Sequence, residues 1–316
     1  MDKPVMSAGP HIHSKDSSSR IMLDVIIALL PAAVAGVILF GPRAVLVILT
    51  CVVSAVLSEY LFNLIARKEQ TVGDLSAVVT GLLLALNLST NVPVWQCVLG
   101  SVFAIVVVKC AFGGIGHNFA NPAITARVFL LRAFTSTVAG GAAPRFADAV
   151  SSATPLNLIG TEGAVLPSLG DMFLGLRGGA IGETCILALL IGFAYLLVRG
   201  VIRWQTPVIF IGTVFVCYLV ATGSFSVALD EVLAGGLVLG AVFMATDYTT
   251  TPITLKGKAI FAIGCGLITF VIRNFGSLPE GVSYAILLMN ILTPHIDRFT
   301  LSKPFGFIKP KKEETK

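Results

Sequence analysis

Residues 113–131 read GGIGHNFANPAITARVFLL, and this stretch decides how the whole chain is interpreted. Three glycines in four residues let the backbone leave helical geometry. The two asparagines on either side of Phe119 then supply amide donors and acceptors where the next helix begins. Arg127 follows inside an otherwise apolar run. Irregular backbone within apolar sequence is tolerated in a membrane only where protein or a polar cavity receives it, so the stretch indicates a membrane protein with an internal polar site.

The composition also indicates a membrane protein. Hydrophobic residues make up 55% of the 316 residues and charged residues only 12%, with a mean hydropathy of +0.90. Because a soluble domain carries roughly 25% charged residues, a soluble enzyme, a nucleic-acid binder and a disordered chain are excluded. The six cysteines lie in apolar runs without CxxC or zinc spacing, so they predict no metal site.

Ten apolar runs predict an all-α polytopic fold, since a spanning helix needs about 20 largely apolar residues. The predicted spans are 22–40, 44–65, 75–90, 94–112, 120–134, 181–198, 206–222, 231–246, 258–274 and 281–297. A long polar connection, 135–180, separates two five-span units at 21–134 and 181–297. A polar segment, 1–20, precedes them without a cleavage pattern, so the first span is expected to be an uncleaved anchor. A basic tail, 298–316, follows them.

The two five-span units share landmarks that predict an internal repeat. The landmarks are an acidic start to a short span (Asp74-Leu75 and Asp230-Glu231), a polar stretch after that span (87–93 and 246–252), and a Phe-Gly turn after the next span (Phe112-Gly113 and Phe275-Gly276). An odd number of spans per unit inverts the second copy relative to the first. Inverted repeats place ligand sites at the repeat interface, beside short or interrupted helices.

The positive charges predict the orientation in the cell membrane. Sixteen of the 22 lysines and arginines fall on one side when the N-terminus is placed inside. They are Lys3, Lys15, Arg20, Arg67, Lys68, Lys109, Arg199, Arg203, Lys256, Lys258, Arg298, Lys303, Lys309, Lys311, Lys312 and Lys316. Since positive charges favour the cytoplasmic side, both termini are expected in the cytoplasm and the 135–180 loop outside it.

Four polar residues are candidates for a site within these spans. A charge near the bilayer centre costs several kcal/mol or more, so Arg127 either reaches toward the outer surface or pairs with an anionic or electron-rich ligand. Asn118 and Asn121 either contact a ligand or cap the fifth span. Asp247, which is flanked by threonines at the matching point of the second unit, is either a further ligand contact or part of a cytoplasmic turn.

The outer loop contains one further motif, DAVSSATPL at residues 148–156. Taken alone, it is a turn of small residues. Pro155 biases Thr154 toward an extended backbone, and the small neighbours leave the threonine hydroxyl accessible. This arrangement suits covalent modification.

With the 113–123 signature and the 148–154 motif in this order, the chain resembles the family that contains the B subunit of the sodium-translocating NADH:quinone reductase and the D subunit of the Rnf complex. The resemblance covers nearly the whole chain, and the short N-terminal segment favours the Rnf branch. It implies a membrane flavoprotein subunit of an oxidoreductase that moves electrons between reduced ferredoxin and NAD⁺ with coupled Na⁺ or H⁺ transport. Other Rnf subunits are the implied partners and bind ferredoxin and NAD⁺; no nucleic-acid partner is expected.

The resemblance also implies two flavins. In this family a flavin transferase joins FMN through its phosphate to the threonine of an Asp-x-x-Ser/Thr-Gly-Ala-Thr pattern. Here Asp148, Ser151, Ala153 and Thr154 match this pattern, and Ser152 stands where glycine is usual. A second flavin, riboflavin, is held without a covalent bond, and the implied pocket residues are Asn118, Asn121, Asp247 and Arg127.

Two flavins would divide a path of roughly 30 Å through the hydrocarbon into shorter electron hops. A buried anionic flavin is costly without a cation or hydrogen-bond donors nearby, so reduction could draw a cation inward. Two other interpretations remain at this stage. One is an inverted-repeat solute channel or secondary transporter without a redox group, and the other is a purely structural membrane anchor.

Overall fold

The computed structural model describes residues 17–145, 155–158, 167–276 and 280–301. Within these ranges the secondary structure is helical, and the extended pairing consists of one antiparallel bridge between Ala142 and Gly179. This bridge joins the beginning and the end of the long loop at 135–180.

The helices before the long loop are α1 (Ser18–Phe40), α2 (Pro42–Ile65), α3 (Ser76–Leu86, preceded by a 3₁₀ turn at Val72–Asp74), α4 (Val94–Val102, continued as a π-helix over Phe103–Cys110), α5 (Pro122–Ala133) and α6 (Thr135–Val138). The loop contains α7 (Pro155–Leu158) and α8 (Leu169–Leu174). After it come α9 (Ile186–Val198), α10 (Gln205–Thr222), α11 (Phe225–Leu233), α12 (Leu237–Leu239, continued as a π-helix over Gly240–Met244), α13 (Leu255–Phe275) and α14 (Val282–Thr300).

Local sequence explains where several helices begin and end. Gly41 ends α1 with a φ of +80°, a conformation that residues with a Cβ rarely adopt, and Pro42 opens α2 at a position that needs no backbone N–H. Ser17 caps α1 by accepting a hydrogen bond from the Arg20 backbone N–H at 3.3 Å. Pro122 opens α5 in the same way as Pro42 opens α2.

Among the described residues, four helices are long and apolar enough to cross a membrane: α1, α2, α10 and α13. A fifth candidate is the pair formed by α11 and by α12 with its π-helix, which is bent by 66° at the break. The break contains Gly235, whose φ is +64°. The predicted span 231–246 therefore corresponds to a bent pair of helices, because the two glycines at 235–236 interrupt the helix.

Other predicted spans are shorter in the structure. Helices α3, α5 and α9 contain 11, 12 and 13 residues, whereas the predicted spans were 75–90, 120–134 and 181–198. Twelve helical residues extend only about 18 Å, less than the roughly 30 Å of the hydrocarbon core. Each of the ten predicted runs contains helix, but the count of ten spans stays a prediction.

Helix packing places α5 in contact with helices of both halves of the chain. Helix α1 packs along α9, α2 packs against α3 and α4, and α10 packs against α11 and α13. Helix α5 contacts α3, both parts of α4 and, from the other half of the chain, α14. Gly192 of α9 lies against the Ala28 carbonyl of α1, where a Cβ would overlap it. The residues of α5 thus lie where the two halves of the chain meet.

The outer face of α2 shows what surrounds the molecule. Its large apolar side chains are about half exposed and recur every three or four residues: Leu46, Leu49, Val53, Leu57, Leu61 and Leu64. The inner face of the same helix is buried and carries small residues such as Ala44 and Ala55. A continuous apolar stripe on the outside of a helix is suited to lipid rather than water. The fold is all-helical, with several apolar helices suited to a membrane.

Candidate functional site

Asn121 performs two tasks at the start of α5. Its Oδ1 accepts hydrogen bonds from the backbone N–H groups of Ala123 at 3.0 Å and Ile124 at 3.3 Å, so it caps the helix. Its Nδ2 donates to Oδ2 of Asp247 at 3.3 Å. The residue is only 3% exposed. Capping and a place in a polar site are therefore not alternatives for Asn121.

The glycine-rich turn before α5 requires glycine for its backbone conformation. Gly113, Gly114 and Gly116 have φ values of +121°, +94° and +86°, which side chains with a Cβ rarely permit. The turn brings Asn118 to the protein interior, where its Oδ1 is buried and has no hydrogen-bond partner among the described residues. Since a buried polar atom without a partner is unfavourable, Asn118 is suited to contact a ligand.

Asp247 lies in the turn after the π-helix that continues α12. Its Oδ1 accepts from the backbone N–H of Thr249 at 3.1 Å and from the Thr249 hydroxyl at 3.0 Å, and its Oδ2 accepts from the Thr250 hydroxyl at 3.3 Å. The residue is partly exposed, but its carboxylate is surrounded by protein. This burial raises the pKa of Asp247 above its ordinary value of 3.8, although the hydrogen bonds from Thr249, Thr250 and Asn121 oppose the shift.

These three residues line one cavity, which we call cavity 1. It has an open volume of about 780 Å³ and lies between α1, α3, the π-helix of α4, α9 and the turns before α5 and after α12. Its walls are mostly apolar. Its polar side chains are Ser76, Thr80, Lys109, Asn118, Asn121, Thr246, Asp247, Tyr248 and Thr249. A concave apolar pocket with a few convergent polar groups is typical of a small-molecule site.

A second cavity, cavity 2, has an open volume of about 430 Å³ and contains Arg127. Arg127 is 4% exposed, and its guanidinium donates to Oδ1 of Asn87 after α3 and to Oε2 of Glu280 before α14. We call Arg127, Asn87 and Glu280 the Arg127 triad. Arg127 does not extend to the surface of the described structure. Its anionic partner is a carboxylate of the chain itself, in addition to any ligand that cavity 2 accepts.

Further charged groups surround the Arg127 triad. Glu183 accepts from the backbone N–H of Ala180 at 2.9 Å through Oε1, while its Oε2 lies 4.0 Å from Nη2 of Arg127. Arg177 is buried and donates to the backbone carbonyl of Glu183 at 2.8 Å. Burial lowers the pKa of Arg177 to about 10, and the charge of Glu183 opposes that shift. Arg127, Arg177, Glu183 and Glu280 thus form a network of opposite charges that are buried or partly buried.

An analogous set of contacts lies on α14. With its amide oriented so that both of its groups form hydrogen bonds, Asn290 donates to the carbonyl of Thr250 at 3.2 Å and accepts from the backbone N–H of Asn121 at 3.1 Å. We call Asn290, Thr250 and Asn121 the Asn290 triad. Each triad therefore links α5 to α14 and to the turn that follows a short helix.

Comparison with known proteins identifies the family. The sequence model described as the NQR2, RnfD, RnfE family matches residues 5–306. The chain belongs to the NQR2, RnfD, RnfE family. This membership agrees with the resemblance carried by the 113–123 and 148–154 motifs. Together with the apolar helices, it indicates a multi-pass membrane protein.

Relatives within the NQR2, RnfD, RnfE family match the chain almost from end to end. The D subunit of the Na⁺-translocating ferredoxin:NAD⁺ oxidoreductase complex of Acetobacterium woodii is 49% identical, covering 98% of this chain and 97% of that protein. The D subunit of the proton-translocating ferredoxin:NAD⁺ oxidoreductase complex of Clostridium ljungdahlii is 42% identical, covering 95% and 96%. The D subunit of the ion-translocating oxidoreductase complex of Stutzerimonas stutzeri is 38% identical, covering 92% and 93%.

The structure separates the pocket residues that the family resemblance implied. Asn118, Asn121 and Asp247 line cavity 1, whereas Arg127 lines cavity 2. The expected attachment residue, Thr154, lies outside the described residues, as do the other residues of its motif, Asp148, Ser151, Ser152 and Ala153. Leu156, two positions after Thr154, lines cavity 2.

Two groups of buried or partly buried charged residues in this chain were not predicted from the sequence. One is the buried pair of Lys109 and Glu59, whose Nζ and Oε1 atoms are 2.8 Å apart. Lys109 was counted among the charges of the cytoplasmic side, and its side chain is only 2% exposed. The other group is Glu183 and Glu280 beside Arg127. The available signal for Lys109 and Glu59 was a lone charge inside an apolar run; a single sequence offers no comparable signal for Glu280.

Proposed function

We propose that the chain is the flavin-bearing electron carrier of an Rnf-type, ion-translocating ferredoxin:NAD⁺ oxidoreductase complex. The observation that carries this proposal is the pair of cavities beside α5, each with several polar side chains in its lining, one of which includes Leu156 after Thr154. The family relatives, which are D subunits of such complexes, support it. Other Rnf subunits would be the partners and would bind ferredoxin and NAD⁺.

The first cofactor of this proposal is FMN, joined through its phosphate to Thr154 by a flavin transferase. Leu156, two positions after Thr154 in the sequence, lines cavity 2. Arg127 Nε and Glu183 Oε2 are buried in this region without hydrogen-bond partners among the described residues. Such atoms are suited to receive the polar edge of a ring system, which favours a flavin there.

The second cofactor of this proposal is riboflavin in cavity 1. The apolar walls, including Val79 and Phe243, suit an aromatic ring system. The partnerless Oδ1 of Asn118 can accept a hydrogen bond from the ring, and Asn121 and Asp247 are fixed by each other and by the turn.

When bound, flavins supply the electron chemistry, and the protein supplies position and electrostatics. In this proposal Asn118 and Asn121 orient the group in cavity 1, and the apolar walls exclude water from it. The Arg127 triad provides a buried positive charge beside cavity 2 that is already balanced by Glu280. The Arg127 side chain is only 5% exposed, so the packing around it holds the guanidinium in place at cavity 2.

The inverted repeat is part of the proposal. Arg127, in the middle of α5, contacts Glu280 just before α14 and Asn87 just after α3. In the same way Asn290, in the middle of α14, contacts Asn121 at the start of α5 and Thr250 in the turn after the α12 π-helix. The packing of α1 along α9, the first helix of each half, supports the same symmetry. We propose ten spans in two inverted units, with both termini in the cytoplasm and the 135–180 loop outside.

The test is covalent flavin on the denatured protein. In cells that contain the flavin transferase, the wild-type band should fluoresce after denaturing electrophoresis, and Thr154→Ala should abolish the fluorescence. Thr161→Ala, in the same loop, is the matched control and should fluoresce like wild type. A fluorescent Thr154→Ala band would refute the attachment site. A colourless wild-type protein that takes up a solute would instead favour a channel or secondary transporter.

A further inference from the structure

Lys109 lies between cavity 1 and another cavity. It belongs to the π-helix that continues α4, and its Nζ donates to Oε1 of Glu59 at 2.8 Å and to Oγ of Ser76 at 2.5 Å. Lys109 and Ser76 line cavity 1. Glu59 lines cavity 3, an open space of about 510 Å³ that it shares with Asn63, Lys68, Glu69, Thr71, Cys110, Gly113 and Gly114. One ion pair therefore bridges the two cavities.

Glu59 has one carboxylate oxygen without a partner. Its Oε1 accepts from Lys109 and from the Thr71 hydroxyl at 2.6 Å, and Asn63 donates to that hydroxyl at 3.0 Å. Its Oε2 makes no hydrogen bond among the described residues, and the side chain is only 1% exposed, so water does not replace the missing donor. A buried carboxylate oxygen without a donor is unfavourable unless a proton or a cation reaches it. Glu59 is thus arranged to accept one.

A buried cation of the second half, Arg273, is held differently. Arg273, near the end of α13, donates to the backbone carbonyl of Glu231 at 2.6 Å, to Oε2 of Glu231 at 3.2 Å and to the carbonyl of Ala234 at 3.3 Å. Backbone carbonyls fix its guanidinium in place. Among the described residues, only side chains hold the Lys109 ammonium. A lysine ammonium on its flexible stem can change partners more readily than an arginine fork.

The backbone that carries Lys109 is of a kind that often occurs at functional sites. A π-helix widens the hydrogen-bond pattern of an α-helix and frequently occurs at functional sites. The charged and titratable groups that surround Lys109 are Glu59 on α2, Asp74 in the 3₁₀ turn through Ser76, Cys110 on its own helix, Lys68 and Glu69 at cavity 3, and Asp247 and Tyr248 across cavity 1.

We propose that Lys109 couples each electron that arrives in cavity 1 to the uptake of one monovalent cation, Na⁺ or H⁺, at Glu59 from cavity 3. This inference rests on the proposed function, which supplies the electron from the complex's reductant. One electron adds one negative charge to cavity 1 and attracts the Lys109 ammonium. Glu59 then loses its compensating charge and binds one cation, so one negative and one positive charge have entered. When the electron leaves, Lys109 returns to Glu59 and the cation is released.

The test is a redox titration of the non-covalent flavin in the purified complex, at several Na⁺ concentrations at fixed pH and at several pH values without Na⁺. One cation per electron raises the midpoint potential by about 59 mV for each tenfold rise in cation activity. The midpoint potential of Glu59→Gln should depend less on cation activity than that of the wild type, and the difference is the contribution of Glu59. Glu59→Gln should also raise the potential, because Lys109 is then unpaired. Lys109→Met should remove the same dependence and lower the potential.

The opposite signs distinguish coupling from a structural role, which would not shift the potential in opposite directions. Lys256→Met removes an exposed lysine charge at the start of α13, outside the linings of the three cavities, and should keep the wild-type dependence. Retained flavin absorbance and covalent fluorescence report that a variant has folded. If Lys109→Met fails to assemble, the near-isosteric Glu59→Gln is sufficient for the test. A Glu59→Gln protein whose midpoint potential still depends on cation activity as in the wild type would overturn the coupling. Wild-type protein without any flavin signal overturns the proposed function, and the coupling with it.

Discussion

Asn121 and Arg127 lie six positions apart, at the N-cap and within the same helix, and line different cavities. At a rise of 1.5 Å per residue, about 9 Å of helix α5 separates them. Asn121 faces Asp247 in cavity 1, and Arg127 faces Glu280 in cavity 2. One short helix, α5, therefore connects the two sites that we propose for flavins. In this proposal the length of α5 between them sets the distance that electrons cross.

Replacing Arg127 with Leu should slow electron transfer and destabilise the protein while leaving Thr154 modified. The change leaves the buried Glu280 without its cation, and breaking a buried ion pair by removing one partner costs about 3–5 kcal/mol. Turnover of the assembled complex and thermal unfolding measure the two effects. Arg132→Leu, at an exposed position on the same helix, is the control.

The double variant Arg127→Leu with Glu280→Gln tests the physical cause. It leaves no uncompensated charge at position 280, so it should recover part of the lost unfolding temperature without recovering the electron-transfer rate. Unchanged turnover in Arg127→Leu would show that this arginine serves neither flavin.

Asn118→Leu should abolish the binding of the non-covalent flavin. Its Oδ1 has no partner among the described residues, so the change removes a ligand contact without breaking a hydrogen bond of that oxygen. Acid extraction measures the non-covalent flavin, and fluorescence of the denatured band measures the covalent flavin. The first should disappear and the second should persist.

Asn91→Leu is the control for this experiment, because Asn91 donates to the carbonyl of Gly141 at 3.2 Å in a different part of the chain. Extractable flavin at the wild-type level in Asn118→Leu would exclude Asn118 from the pocket. Asn121 is less suitable for this test, because its replacement also removes the cap of α5, a change that costs about 1 kcal/mol.

Asp247→Asn should unfold at a higher temperature than wild type, by a margin that grows as the pH rises. Burial raises the pKa of Asp247 above 3.8, so between that value and the raised pKa the folded chain binds a proton that the unfolded chain does not. Stability therefore falls as the pH rises through this window. Asparagine mimics the protonated carboxyl and lacks this loss.

Thermal unfolding of the detergent-solubilised protein at stepped pH measures the difference between Asp247→Asn and wild type. The difference should shrink as the pH is lowered toward 3.8. A difference that is independent of pH, or that grows on acidification, would contradict a raised pKa at this position.

Much of the helix layout could be predicted from the apolar runs. The predicted span 44–65 corresponds to α2 at Pro42–Ile65, and 258–274 corresponds to α13 at Leu255–Phe275. These helices are long and bounded by recognisable residues such as Gly41. The bend between α11 and α12 was missed because apolar residues continue through it, although Gly235 and Gly236 marked the position.

The site was predictable only where its residues stand close to local signals. The broken start of α5 pointed to Asn118 and Asn121, and the matching polar stretch pointed to Asp247, which does contact Asn121. The contacts of Arg127 with Glu280 and of Lys109 with Glu59 join positions 153 and 50 residues apart. Pairing over such distances depends on how helices pack, which one sequence does not specify.

The central claim is that a threonine in the outer loop carries a flavin. Trypsin releases the segment Phe146–Arg177 as one peptide that contains Thr154. We expect mass spectrometry of this peptide, from protein made with its native maturation machinery, to find the added mass of FMN joined through a phosphoester, with fragment ions that locate it on Thr154. The peptide at its unmodified mass, from protein made under the same conditions, would contradict the account.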